Sequence, residues 1–152
     1  MKIECDKSKI EPIIQKASRL ASKHLTLPVL SCVYLEVLSD NRLIVKSTNL
    51  DIGLEMEIKV KTLEKGIIAV PANILLGVLS SIKNNNLIFE TKENNLKISS
   101  NKNSVVIKCL SHDDFPSIPK LENSKPIKIN CHNLISGFKS VWYSASNSNI
   151  KP

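Results

Sequence analysis

His112, Asp113 and Asp114 stand in a row and are the nearest thing to a metal-ligand set in the 152-residue sequence. Consecutive loop residues seldom converge on one ion without partners from elsewhere in the chain. Asp114 is followed by Phe115-Pro116, a pattern that predicts a turn or an anchor. A metal-dependent nuclease built on Asp113 and Asp114 is the one catalytic alternative these residues offer. Nucleophilic chemistry has no better foothold. No serine sits in G-x-S-x-G, and none is placed beside a base by spacing. The four glycines form no phosphate-cradling loop. Cys5, Cys32, Cys109 and Cys131 include no C-x-x-C pair, each lies in or beside an apolar run, and the three histidines lack zinc spacing to them. Buried free thiols in a reducing compartment are expected. No catalytic residue, metal or cofactor is expected.

With chemistry unsupported, charge is the next lead. The net charge is +7, which suits a polyanionic partner. Joint enrichment in Lys and Asn, as at Asn84-Asn85-Asn86, equally reflects compositional bias, so placement has to decide. Aromatic residues make up 4%, too few for a platform that stacks single-stranded bases. The first residues, Met1-Lys2-Ile3-Glu4-Cys5-Asp6, carry acids where a signal peptide needs an apolar run, and stretches such as 74–79 are too short to span a bilayer. A cytoplasmic protein without a membrane partner is expected.

The elements that must position the charges are repeated. Ile3 is followed at +7, +10, +11 and +14 by Ile10, Ile13, Ile14 and Ala17. Ile68 is followed at the same offsets by Leu75, Val78, Leu79 and Ile82, and Ile127 by Leu134, Gly137, Phe138 and Val141. Each copy predicts a strand, a tight turn and an amphipathic helix whose buried face starts at +7. Asp6 or Ser8 is placed to cap the first helix, Pro71 stands just before the second, and Pro12 falls early in the first. Hairpins follow, with Asn-rich polar turns at 39–41 and 93–95. Leu54, Met56, Ile58 and Val60 alternate with Glu55, Glu57, Lys59 and Lys61, one buried strand face and one wet. The unit of strand, helix and three strands occurs twice, so two units can bury each other's apolar faces with pseudo-twofold symmetry. The expectation is an α+β domain over residues 1–122, with two helices on one face of its sheets. Residues 111–124 read as a linker, and residues 123–152 as the truncated start of a second domain.

The helix faces opposite the apolar stripes are cationic or neutral. Helix one offers Lys16 and Arg19, with Lys23 just after; Lys83 ends helix two; Lys139 lies on helix three. Only Glu11 is an acid there, while Glu36, Glu55, Glu57 and Glu90 fall on strands. Such a surface attracts a phosphate backbone through a sequence-independent, salt-sensitive term.

Five ordered segments then carry a resemblance: Thr26-Leu27-Pro28-Val29-Leu30, Ser47-Thr48-Asn49-Leu50-Asp51-Ile52, Val70-Pro71-Ala72, Asp114-Phe115-Pro116 and Tyr143-Ser144-Ala145-Ser146. In this order and spacing the chain resembles the N-terminal part of the bacterial DNA polymerase III β subunit family, the sliding clamps. The resemblance implies a DNA-clamp fold and a non-catalytic accessory subunit of a DNA-directed DNA polymerase. It implies head-to-tail homodimers of three-domain subunits that encircle double-stranded DNA, with DNA polymerase III and clamp loader subunits as partners and no small-molecule substrate. It places Lys23 and His24, and also Asn147, Ser148 and Lys151, near DNA, and the strand carrying Val105 and Ile107 at the subunit contact. Asn49 and Asn73 stand where the family commonly has an acid and a base, and this chain is basic where relatives are acidic. The partner-peptide pocket lies mainly in domains this chain does not include. The alternative is a stand-alone basic module binding DNA without sequence specificity.

Overall fold

The computed structural model describes residues 1–21, 27–101, 103–119 and 127–145, and the chain divides into two units, Met1–Ile118 and Pro119–Pro152. In chain order the first unit contains β1 (Lys2–Asp6), α1 (Lys7–Leu20), β2 (Cys32–Val37), β3 (Arg42–Thr48), β4 (Gly53–Lys59), β5 (Lys61–Glu64), β6 (Gly66–Pro71), α2 (Ala72–Ser81), β7 (Asn86–Lys92), β8 (Asn95–Ser100) and β9 (Asn103–Lys108). The spacing template survives as burial. Ile3, Ile10 and Ile14 in the first copy, and Leu75 and Leu79 in the second, are sealed from solvent, and Ile68 nearly so. Ile13 and Val78, the +10 positions, are half-buried in both.

Two antiparallel sheets result, ordered β5-β1-β7-β8-β9 and β4-β3-β2-β6. Within the first unit, the two strand-helix repeats exchange first strands: β1 pairs with β7 of the second repeat, and β6 with β2 of the first. The exchange explains why neither repeat is self-sufficient, since each sheet is completed only by the other repeat's leading strand. One apolar cluster fills the space between sheets and helices, with Phe89, Leu35, Leu43, Leu87, Leu96 and Ile98 among its buried members.

The alternation expected to run through Val60 and Lys61 breaks at that point. β4 leaves one sheet and continues as β5 in the other, where Glu4 faces Lys61 and Ile3 faces Thr62. The corner is held by Asn41, left-handed at φ 62°, whose carbonyl accepts from the Val60 amide and whose Oδ1 accepts from the Thr62 amide. The second repeat has the same corner at Cys109, whose amide donates to the Asn94 carbonyl before Leu110 bridges to Ala69.

Neither Asp6 nor Ser8 caps α1 with its side chain; the opening amides of Lys7 and Ser8 instead donate to the carbonyl and Oδ1 of Asn85, just beyond α2. Pro12 lies inside α1, exposed, and the helix runs through it. The anchor expected at Asp114-Phe115-Pro116 is present: Phe115 packs on Val29, Cys32 and Ala69, with its ring 5.0 Å from that of Tyr34. Residues 111–119, expected to be linker, are therefore seated on the first unit up to Ile118, which reaches Gly53.

In the second unit, α3 (Cys131–Val141) forms with Asn130 accepting from the Asn133 amide, a capped N-terminus. Ile127, expected in a strand, belongs to none among the described residues. The template face of α3 is bare: Leu134, Phe138 and Val141 are all exposed, Phe138 by 64%.

Candidate nucleic-acid interface

α1 packs over β2, β3 and β4, α2 over β6 and β9, and the two helices touch each other. The start of α1 meets the end of α2, where Lys7 Nζ donates to the Ile82 carbonyl at 2.6 Å. The apolar stripes are turned into the core, so the opposite faces are turned to water. There Gln15, Lys16 and Arg19 of α1 and Asn73, Gly77, Ser80 and Ser81 of α2 are exposed. The single acid of this layer is occupied: Glu11 lies 3.5 Å from Lys7 Nζ and accepts from Ser80 Oγ at 2.9 Å. Lys16, Arg19 and Lys83 form no ion pair with any described residue.

The sheets differ in charge, though less sharply than the sequence suggested. Their strands hold seven acids and eight cations, whereas the three helices hold one acid and five cations. Most strand carboxylates are matched within the sheet: Glu4 to Lys61 at 2.9 Å, Glu90 to Lys2 at 3.1 Å, Glu57 to Arg42 at 3.0 Å, and Glu36 and Glu55 to Lys46 at 3.5 and 3.6 Å. Lys2 holds the Glu90 carboxyl below its ordinary range. The outer sheet surface is thus close to neutral, and the excess positive charge sits on helices.

The expected cations are not gathered into one cluster. Lys16 and Arg19 are one turn apart on one face of α1. Lys83 lies past the end of α2, beside the start of α1, and lines a groove of about 450 Å³ with Ile82, Ser104 and Val105. Nine residues of helix separate Lys7 from Lys16, about 14 Å at helical rise. The cations are therefore strung along the helix layer, which fits contact with an extended backbone better than capture of a small anion. Lys139 is exposed on α3 in the second unit. Lys23, His24, Asn147, Ser148 and Lys151 lie outside the described residues.

Val105 and Ile107 share the inner face of β9 but differ in access. Val105 is 38% exposed at the groove, while Ile107, at 3%, belongs to the core. The Ile107 side chain is thus turned into the core of this unit, and the outward residue between them is Val106, 62% exposed. The strand's free edge, which period-two reading of side chains does not reveal, is the larger feature. β9 ends its sheet, with β8 on one side and no described strand on the other.

No catalytic grouping emerges. His112, Asp113 and Asp114 form an exposed turn in which the Ser111 hydroxyl donates to Asp113 at 2.6 Å and the Phe115 amide to the His112 carbonyl. No three His, Cys, Asp or Glu side chains are grouped to hold a metal among the described residues. The larger cleft is lined by Glu4, Asp6, Lys9, Lys59 and Lys61, and its one thiol, Cys5, is pushed up to about 12, first by burial and then by Asp6. A thiol so shifted is protonated at neutral pH and is no nucleophile. Cys32 and Cys109 are buried as expected, whereas Cys131 is exposed at the start of α3. No helix among the described residues is long and apolar enough to cross a membrane.

Comparison with known proteins agrees with this geometry. The beta sliding clamp of Helicobacter pylori strain J99 is 28% identical over 142 residues, covering 93% of this chain and 38% of its own length. That of Synechocystis is 27% identical over 159 residues, covering 99% of this chain and 41% of its own length. The chain thus spans about two fifths of these curated relatives. Among solved structures, the Helicobacter pylori beta clamp bound to a DNA ligase peptide superposes with a TM-score of 0.86 at 27% identity, over 99% of this chain and 42% of that one. The Streptococcus pneumoniae DNA polymerase III beta chain, at 21% identity, gives 0.92 over 99% of this chain and 42% of its own. The expected clamp fold is therefore the observed one. Residues 1–119 match the family described as DNA polymerase III beta subunit, N-terminal domain, and the chain belongs to that family.

Proposed function

We propose that this chain supplies the first domain of a processivity ring that encircles double-stranded DNA and tethers the replicative polymerase in the cytoplasm. The observation that carries the proposal is the net division of charge: the described helices hold five cations to one acid, and the strands eight cations to seven acids. A surface of separated Lys and Arg side chains with small neutral neighbours holds phosphates loosely and reads no bases. That is the requirement for sliding. The chemistry is non-catalytic, with polymerase and clamp loader subunits as partners. Lys16, Arg19, Lys83 and Lys139 are the described DNA-facing residues of this proposal, and Lys23, His24, Asn147, Ser148 and Lys151 complete the set.

The subunit contact is the free edge of β9 with Val105 beside it, meeting the third domain of a second full-length subunit. This stretch by itself, which spans about two fifths of the curated relatives, is proposed to close no ring. Its retention on nicked circular duplex is expected to be weak and to disappear in high salt, as it does on linear duplex of the same length. Retention on the circle that withstands high salt and vanishes on linearisation would contradict the proposal that ring closure needs the further domains.

A further inference from the structure

Residues 111–118 lie across one sheet without belonging to it. Just before them the Leu110 amide donates to the Ala69 carbonyl of β6 at 3.1 Å. Phe115 then packs on Cys32 of β2, on Ala69 and on Val29, a cluster separate from the main core. Ile118 reaches Gly53, which opens β4. The sheet runs β4-β3-β2-β6, so the segment spans it from one edge to the other.

The attachment is shallow. From Ser111 to Ile118 the hydrogen bonds are local, the Ser111 hydroxyl to Asp113 and the Phe115 amide to the His112 carbonyl. None joins these eight residues to a strand among the described residues. Phe115, Pro116 and Ile118 are half-buried, and the other five are exposed. The strands beneath bond to one another and need nothing from the segment. Two apolar side chains, Phe115 and Ile118, therefore hold it in place. Pro116 stiffens the chain between them, which ties the movement of one anchor to that of the other.

We propose that residues 111–118 act as a strap that lifts from the sheet as one piece while the strands stay folded. Few buried apolar contacts and no hydrogen bonds to the sheet are the marks of a segment that opens locally, well below the cost of global unfolding. Seated, the strap ends the first unit at Ile118. Released, its eight residues become free chain and add up to about 26 Å of reach to the chain beyond Ile118. Lifting also uncovers Cys32, which is sealed beneath Phe115. The device needs neither DNA nor a second subunit, and it stands apart from the proposed function.

Alkylation of Cys32 in native buffer, followed by mass spectrometry, tests it, with Cys109 as the reference buried thiol. Ile118→Ser removes the anchor at Gly53, two strands and about 10 Å from Cys32. It is expected to speed Cys32 alkylation roughly tenfold or more while Cys109 keeps the parent's rate. Gly53→Ala, whose added Cβ would stand 2.9 Å from Ile118 Cγ2, is expected to act in the same direction without altering the strap itself. Thermal melts close to the parent's show that the strands stay folded. Cys32 alkylated at the parent's rate in both variants overturns the proposal, because the two anchors then move separately. Cys32 and Cys109 accelerating together overturns it as well, because the segment then opens only with the whole unit.

Discussion

A thiol enclosed by apolar side chains keeps its proton past its ordinary pKa, because the thiolate is the form that burial penalises. Cys5 is pushed up to about 12 and Cys109 to about 11 by burial, from an ordinary 9.0. The unfolded chain releases these protons first, so the folded state binds more protons between those values and loses stability as pH rises. Stability attributable to the two thiols is complete below about pH 9 and declines toward pH 11–12. Denaturant midpoints at pH 8 and pH 10.5 are expected to differ more in the parent than in Cys5→Ala with Cys109→Ala. The same burial orders reactivity: an alkylating reagent followed by mass spectrometry should modify Cys131 in the native protein, and the other three only after unfolding. Cys32 and Cys109 were legible as core from their apolar flanks, and Cys5 is half-buried against that core. Cys131 was not: it opens α3, whose apolar face is exposed among the described residues.

The helices were read correctly where their signal was periodic. The shared offsets located α1 and α2, and both buried faces, because a helix face is a local property of sequence. Signals supplied by distant residues were invisible. The cap of α1 comes from Asn85, 77 positions away from Ser8, so Asp6 and Ser8 were natural but wrong expectations. The bend at Val60 has the same origin, since the Asn41 turn holds it rather than any local breaker. Asn85→Ala is expected to destabilise the domain by about 1 kcal/mol, the usual worth of a lost N-terminal cap, in chemical denaturation. Asp6→Ala should cost clearly less, because Asp6 contributes only a surface ion pair to Lys9. Equal effects would return the capping role to Asp6. Deeper in the element, Phe89→Ala removes the largest fully buried side chain, and a loss of about 3–5 kcal/mol is expected.

At the largest scale, two interlocked strand-helix repeats build the first unit, with two sheets and the helices α1 and α2 packed on them. The exchange of first strands gives the domain its internal symmetry, and symmetry gives it equivalent open edges at β4 and β9. Net charge is divided between them, with most strand carboxylates answered inside the sheets and five cations to one acid on the described helices. The cationic helix faces were legible because Lys16 and Arg19 fall opposite a stripe that burial confirms. The near-neutral sheets were not, because Lys59, Lys92, Lys97 and Lys108 count toward net charge without announcing which surface they occupy. The division of charge predicts which lysines matter for DNA and which do not.

Binding to duplexes of unrelated sequence, followed against salt concentration, measures that division directly. Lys16→Ala with Arg19→Ala is expected to reduce the slope of log affinity against log salt by about 2, near 0.9 for each lost phosphate contact, equally for every sequence. Lys92→Ala with Lys97→Ala, on the outer sheet, is expected to leave the slope unchanged. A slope that falls with the sheet pair and not with the helix pair would contradict the account.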